Sequence, residues 1–146
     1  MQLDASAAQD LLAAAPVVRL ATVDGGGRPH IVVTTFAVAG GHIYTAVDQK
    51  PKSTRELKRL QNIRSNPAVS VLADHYADDW DRLWWARADG NAVVVTQPED
   101  MARAIRLLAE RYPQYRADPP HGPVIDITVT RWSGWAYSDG TGTSIT

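Results

Sequence analysis

Between Lys50 and Arg64 the chain sets the cations Lys50, Lys52, Arg55, Lys58, Arg59 and Arg64 against a single acid, Glu56. The whole molecule carries a net charge of −1 at pH 7, so this is a local basic surface on a slightly acidic protein, and such a surface seeks a local anion. Lys50-Pro51-Lys52-Ser53-Thr54-Arg55 falls where strand character gives way to helix character, and Ser53 followed by Glu56 has the capping-box pattern. The free N–H groups at a helix start, with the positive end of its dipole, bind anions. Lys50 and Lys52 before the cap and Arg55 in the first turn would add charge-assisted bonds, and the Ser53 and Thr54 hydroxyls further donors. The plainer alternative is a solvated basic helix face with an ordinary capping box.

A second group is aromatic: Trp80, Trp84, Trp85 and Tyr76, in a chain with five tryptophans. Trp84 and Trp85 are consecutive, so in a strand they point to opposite faces. One can enter the core; the other faces a helix, a partner subunit or a flat ligand, and tryptophan is favoured at interfaces. Packing alone is the competing account. His30, His42, His75 and His121 are scattered without metal-ligand spacing. Asp74, Asp78, Asp79 and Asp81 share an acidic stretch with Arg82, which suits surface charge better than paired acid–base carboxylates. No serine, histidine and acid set stands out for nucleophilic catalysis, so any reaction must borrow its reactive group from a coenzyme.

The elements that must position these residues begin with a short helix over 6–15, with Ser6 as its cap and Pro16 ending it. Val17 to Thr22 is strand-like, Asp24-Gly25-Gly26-Gly27 is a turn, and the β-branched run His30 to Val38 returns through Gly40-Gly41 to residues 42–47, which reads as a three-stranded meander. A helix follows from Ser53, with Leu57, Leu60 and Ile63 at helical spacing. Residues 69–73 form a strand, and residues 83–95 a strand pair or one bent strand interrupted at Asp89-Gly90-Asn91. Thr96-Gln97-Pro98-Glu99 repeats the capping box ahead of the stripe Met101, Ile105, Leu108 and Tyr112. A Pro-rich loop over 113–123 leads to a strand over 124–132 and a short one over 135–137. Residues 138–146 read as a flexible tail.

Six or seven short strands with helices set apart predict an α+β domain built on a closed or nearly closed antiparallel sheet. At 146 residues the chain fits one domain, 1–146, with enough core to fold unaided. Hydrophobic residues at 45% and charged residues at 21% are those of a globular protein. The absence of cysteine excludes disulfides, thiol catalysis and thiolate metal sites. The opening residues lack a signal-peptide pattern, and no run approaches the roughly 18 apolar residues of a membrane span. The expectation is a cytoplasmic protein with no membrane partner.

Leu20-Ala21-Thr22-Val23-Asp24 followed by Gly27-Arg28-Pro29-His30, then Thr54-Arg55-Glu56-Leu57 and Asn66-Pro67-Ala68-Val69-Ser70, resembles the pyridoxamine-phosphate-oxidase-like split-barrel flavoproteins. The stretch Asp79-Trp80 to Trp84-Trp85-Ala86-Arg87-Ala88-Asp89-Gly90 is similar to a subgroup that uses the deazaflavin coenzyme F420. The resemblance implies a split β-barrel of the FMN-binding type with a few peripheral helices, and a homodimer with two coenzyme sites at its interface. It implies that Ala46, Val47, Asp48, Gln49, Lys50, Lys52, Ser53, Thr54 and Arg55 hold the coenzyme's phosphate, and that the ring lies beside Val32, Val33 and Thr34. The partner would reach in through Trp84 and Trp85. Where the family pattern has a basic residue next to Thr54, this chain has Ser53, with Lys52 one position earlier. The fuller motifs of true pyridoxamine phosphate oxidases are missing, which disfavours that activity.

These readings make the chain an F420-dependent oxidoreductase passing a hydride between coenzyme and a small organic substrate, with no catalytic side chain and no metal. The basic strip through Lys58 and Arg59 suits a long acidic coenzyme tail better than a compact FMN phosphate. An FMN-binding oxidase or flavin reductase of the same fold is the alternative, and a non-catalytic coenzyme carrier another. A nucleic-acid module using the basic helix and exposed tryptophans is disfavoured by the small extent of the strip.

Overall fold

The structure, a computed structural model, describes residues 1–47 and 57–137. Helix α1 (Ala5–Ala14) is capped by Asp4, whose carboxylate accepts from the Ala7 N–H at 2.8 Å. The cap falls two residues before Ser6, because aspartate caps as well as serine and this start puts Ala8 and Leu12, four apart, on the buried face. Next come β1 (Val18–Val23), β2 (Pro29–Thr34), β3 (Ala37–Ala39), β4 (His42–Ala46), α2 (Lys58–Ser65), β5 (Ala68–His75) and β6 (Trp84–Val95). Then α3 (Pro98–Arg111) and α4 (Pro113–Ala117) precede β7 (Val124–Ala136).

The strands form one antiparallel sheet in the order β2-β1-β5-β6-β7-β4-β3, the expected α+β class. The expected meander is broken, however. The run from His30 to Val38 divides into β2 and β3, which lie at opposite edges of the sheet, and Thr35 and Phe36 carry the chain between them. Phe36 is fully buried at this crossing and its N–H donates to Tyr112 Oη at 3.2 Å. The sheet curls until its edges meet in side chains: Thr34 Oγ1 on β2 lies 2.7 Å from Thr45 Oγ1 on β4. Among the described residues no backbone ladder joins β2 to β3.

Alternation along the strands separates two layers. Val18, Leu20, Val71, Ala86 and Ile127 face inward, where Leu12 of α1 and Leu60 and Ile63 of α2 meet them. Such buried side chains contribute about 1.5–3 kcal/mol each. On the outer face, Met101, Ala104 and Leu108 of α3 cover Tyr44, Ala46 and Val124. Helix α3 starts at Pro98 after Gln97, which makes no side-chain cap bond, so Thr96 does not serve as the cap. The outer face of β2 has no described helix over it, and Ile31 and Val33 stand 63% and 61% exposed. Strand β6 is a single strand with a bulge at Asp89/Gly90. A Cβ on Gly90 would stand 2.3 Å from the Thr128 carbonyl oxygen, so only glycine fits that crossing. Residues 124–136, read from the sequence as two strands, are one.

Candidate functional site

At the seam between the sheet's edges, the structure brings Thr34 together with the end of β4. Thr34 Oγ1 also donates to the Thr35 carbonyl at 3.1 Å. Either hydroxyl can donate in the Thr34–Thr45 bond. The neighbouring Val33 points outward. Ala46 and Val47 are buried at 6% and 2%, Ala46 beneath α3 and Val47 in the main core. The Val47 N–H donates to the Pro123 carbonyl at 2.9 Å. These two residues therefore anchor the chain as it leaves β4.

Asp48, Gln49, Lys50, Lys52, Ser53, Thr54 and Arg55, the core of the expected phosphate site, lie outside the described residues, as do residues 138–146. The chain re-enters the description at Leu57, half-buried against the same core that holds Val47. Leu57 has an extended backbone and precedes Lys58, the first residue of α2. The helix thus starts at Lys58 with Leu57 at its cap position, later than expected, and the Ser53–Glu56 box itself lies outside the described residues.

In α2, Lys58 and Arg59 have different surroundings. Lys58 Nζ stands 3.7 Å from Asp24 Oδ2, so this cation is paired with the β1–β2 turn. Asp24 organises that turn: its Oδ1 accepts from the Gly26 and Arg28 N–H groups, each at 2.9 Å, around Gly27 at φ 87°, a conformation suited to glycine. The Arg28 N–H holds the Asp24 carboxyl below its ordinary pKa against the opposing effect of desolvation, with smaller help from the Gly26 N–H and Lys58. Arg59 is half-buried, and burial lowers its pKa. Among the described residues no carboxylate pairs with it. A guanidinium taken partly out of water with no counter-ion among the described residues is a candidate ligand for an anion.

The tryptophans lie elsewhere. Trp84 packs against the core, and Trp85 lies on the outer face, as the alternation requires. Trp85, Leu72, Asp74, Tyr76 and Arg87 line an open cavity of about 330 Å³. The Arg87 guanidinium lies 5.6 Å from the Trp85 ring centroid and its Nε 3.3 Å from Asp89 Oδ2. Asp74 pairs with Arg19 at 2.6 Å. The register runs Val33, Arg19, Leu72, Arg87 across β2, β1, β5 and β6. At about 4.8 Å per strand, Val33 and Arg87 are about 14 Å apart, so one subunit does not close Val33 and Trp85 around the same ring. Arg19, Leu72 and Arg87 were not picked out from sequence as site residues. Their signal was present, since Leu72-x-Asp74-x-Tyr76 and Trp85-x-Arg87-x-Asp89 each alternate onto one face.

His42 Nδ1 meets Asp126 Oδ1 at 2.8 Å on the outer face, and among the described residues no nucleophile is hydrogen-bonded to the pair. Among the described residues no three His, Asp or Glu side chains group as metal ligands, and no described helix is long and apolar enough to cross a membrane.

A curled antiparallel sheet split along one seam, with a basic helix entering beside the β1–β2 hairpin, defines a protein of the split-barrel fold. The chain belongs to the pyridoxamine 5'-phosphate oxidase family, whose model matches residues 5–136. No curated protein matches the sequence. Among solved structures, a conserved hypothetical protein from Mycobacterium tuberculosis is similar at 24% identity, over 97% of this chain and 89% of that one, with a TM-score of 0.74. A FAD-binding protein from Mesorhizobium loti matches at 21% identity, over 92% and 95%, with a TM-score of 0.70. The heme storage protein HutZ from Vibrio cholerae matches at 16%, over 90% and 92%, with a TM-score of 0.69. At these identities the likeness is one of fold.

Proposed function

We propose that the protein is an oxidoreductase that binds coenzyme F420 and passes a hydride between it and a small organic substrate. The observation that carries an anionic coenzyme is Arg59, half-buried without a carboxylate partner among the described residues. It follows directly on the basic stretch Lys50, Lys52 and Arg55. The coenzyme supplies the redox chemistry; the chain's own residues bind the phosphate, position the ring beside Val33 and Thr34, and exclude water. Two copies share each site, the second bringing Trp85, since Trp84 is taken up by its own core. This fits the distance between Val33 and Trp85 within one chain and the exposed Ile31 and Val33, which a partner would cover.

A second reading, FMN or FAD in place of the deazaflavin, is favoured by one contact. Lys58 was the residue expected to reach only the longer F420 tail, and it is engaged with Asp24. The likeness to a protein described as FAD-binding supports the same reading. In either case a non-catalytic carrier would show binding without turnover.

The test is titration of the purified protein with F420, FMN, FAD and haem, followed by absorbance and fluorescence. Tight binding of F420 alone supports the first reading and of a flavin alone the second. Haem alone, or none of the four, overturns both.

A further inference from the structure

Among the described residues, two buried polar atoms near α2 have no hydrogen-bond partner: His30 Nδ1 and Asn62 Oδ1. Asn62 is 1% exposed, and its Nδ2 donates to Thr22 Oγ1 at 3.0 Å. Thr22 is fully buried and stands opposite His30 in the β1–β2 register. Directly opposed side chains share a face, with Cβ atoms about 5 Å apart. The Thr22 oxygen accepts from Asn62, so its own proton is still to be donated, and no acceptor for it is found among the described residues. A carbonyl oxygen, a ring nitrogen and a hydroxyl proton thus face unmet hydrogen bonding in one small region, where buried polar groups are almost always bonded.

We infer that this cluster is a binding site for one trapped water. The water accepts from the Thr22 hydroxyl and donates to Asn62 Oδ1 and to His30 Nδ1, with His30 in its Nε2–H tautomer. Three bonds are typical of a buried water. Asn62 lies one turn after Lys58, on the same side of α2. The helix is therefore tied twice to the β1–β2 hairpin, by Lys58 to Asp24 at the surface and by Asn62 in the core. Eight residues without a side-chain cap do not hold a helix by themselves, so the buried tie fixes how α2 is turned and where Arg59 points. Resting on the coenzyme reading above, His30 and Asn62 are then positioning residues that touch no coenzyme.

A high-resolution crystal structure should show the water within hydrogen-bonding distance of all three atoms, and long-range 1H–15N spectra should report the Nε2–H tautomer of His30. His30→Phe should speed amide exchange at residues 62–65 by about tenfold, the scale of one lost hydrogen bond, while the centre of β7 keeps its native rates. His30→Asn, which keeps a polar atom near the Nδ1 position, should recover most of the protection. None of these measurements uses a coenzyme, so failure of the coenzyme reading leaves them intact. A Nδ1–H tautomer, a dry cluster, or unchanged exchange in His30→Phe overturns the inference.

Discussion

The Thr34 and Thr45 hydroxyls share a hydrogen bond of 2.7 Å, and this bond joins edge strand β2 to β4 across the seam of a seven-stranded sheet. Its ends are not equivalent. Thr45 is 4% exposed and has no other hydrogen-bond partner among the described residues, whereas half-buried Thr34 also donates to the Thr35 carbonyl. Thr34→Val strands a buried hydroxyl and should destabilise the fold by about 1–3 kcal/mol. Thr45→Val leaves Thr34 bonded and should cost about 0.5–1.5 kcal/mol. Urea denaturation of the two variants checks the order, and equal losses would show that the seam is not held by this bond.

Arg59→Ala should weaken coenzyme binding by about 1–3 kcal/mol, the scale of a lost charge-assisted bond. Lys52→Ala and Arg55→Ala should fall in the same range if the basic stretch holds the phosphate. Lys58→Ala should cost less than about 1 kcal/mol, because an exposed ion pair contributes little. Titrations at low and high salt distinguish these variants. A larger loss for Lys58 than for Arg59 would reverse the assignment made from their surroundings.

The β1–β2 turn should carry an acid-sensitive part of the stability. The pKa of Asp24 is lower in the folded chain than its ordinary value, so its contribution is full above the ordinary carboxylate range. It is lost as pH falls through the folded value. Asp24→Asn should lower stability at neutral pH and flatten the acid limb of the stability curve. Denaturation across a pH series measures this, and a variant with the native acid limb would place the sensitivity elsewhere.

Sedimentation or light scattering should give about twice the chain mass of 15.9 kDa. Ile31→Asp and Val33→Asp place a charge on the uncovered outer face of β2 and should shift the protein toward monomer with its fold intact by circular dichroism. A native protein that stays monomeric at micromolar concentration, yet binds coenzyme, would rule out sites shared between subunits.

Much of this architecture was legible in residue patterns. Period-2 alternation located the strands and separated Trp84 from Trp85, and the Asp89-Gly90-Asn91 interruption marked the bulge of β6. What failed was long-range or local competition. The run from His30 to Val38 looks like one strand because β-branched residues occupy both halves, and only burial of Phe36 at the sheet's edge divides it. The Ser53–Glu56 box reads as a cap by local rule, but Leu57 is extended and α2 begins at Lys58. Lys58 looked like a free cation because nothing near it in sequence reveals Asp24, brought across from the β1–β2 turn. Arg59 had the same charge and a neighbouring position; its partial burial could not be read from spacing.

The seam between β2 and β4 also bears on how long the molecule stays folded. Backbone ladders hold the strip from β2 through β7 to β3, and its end strands are joined in the chain by Thr35 and Phe36, while across the seam β2 meets β4 through hydroxyls. A side-chain contact of this kind tightens only once the long-range β4–β7 ladder has set the two strands side by side, so we expect the Thr34–Thr45 bond to form after the folding barrier. Its loss should leave the refolding rate nearly native and appear in faster unfolding. The strip curls first and latches last, so the latch governs the lifetime of the closed barrel more than the speed of its formation.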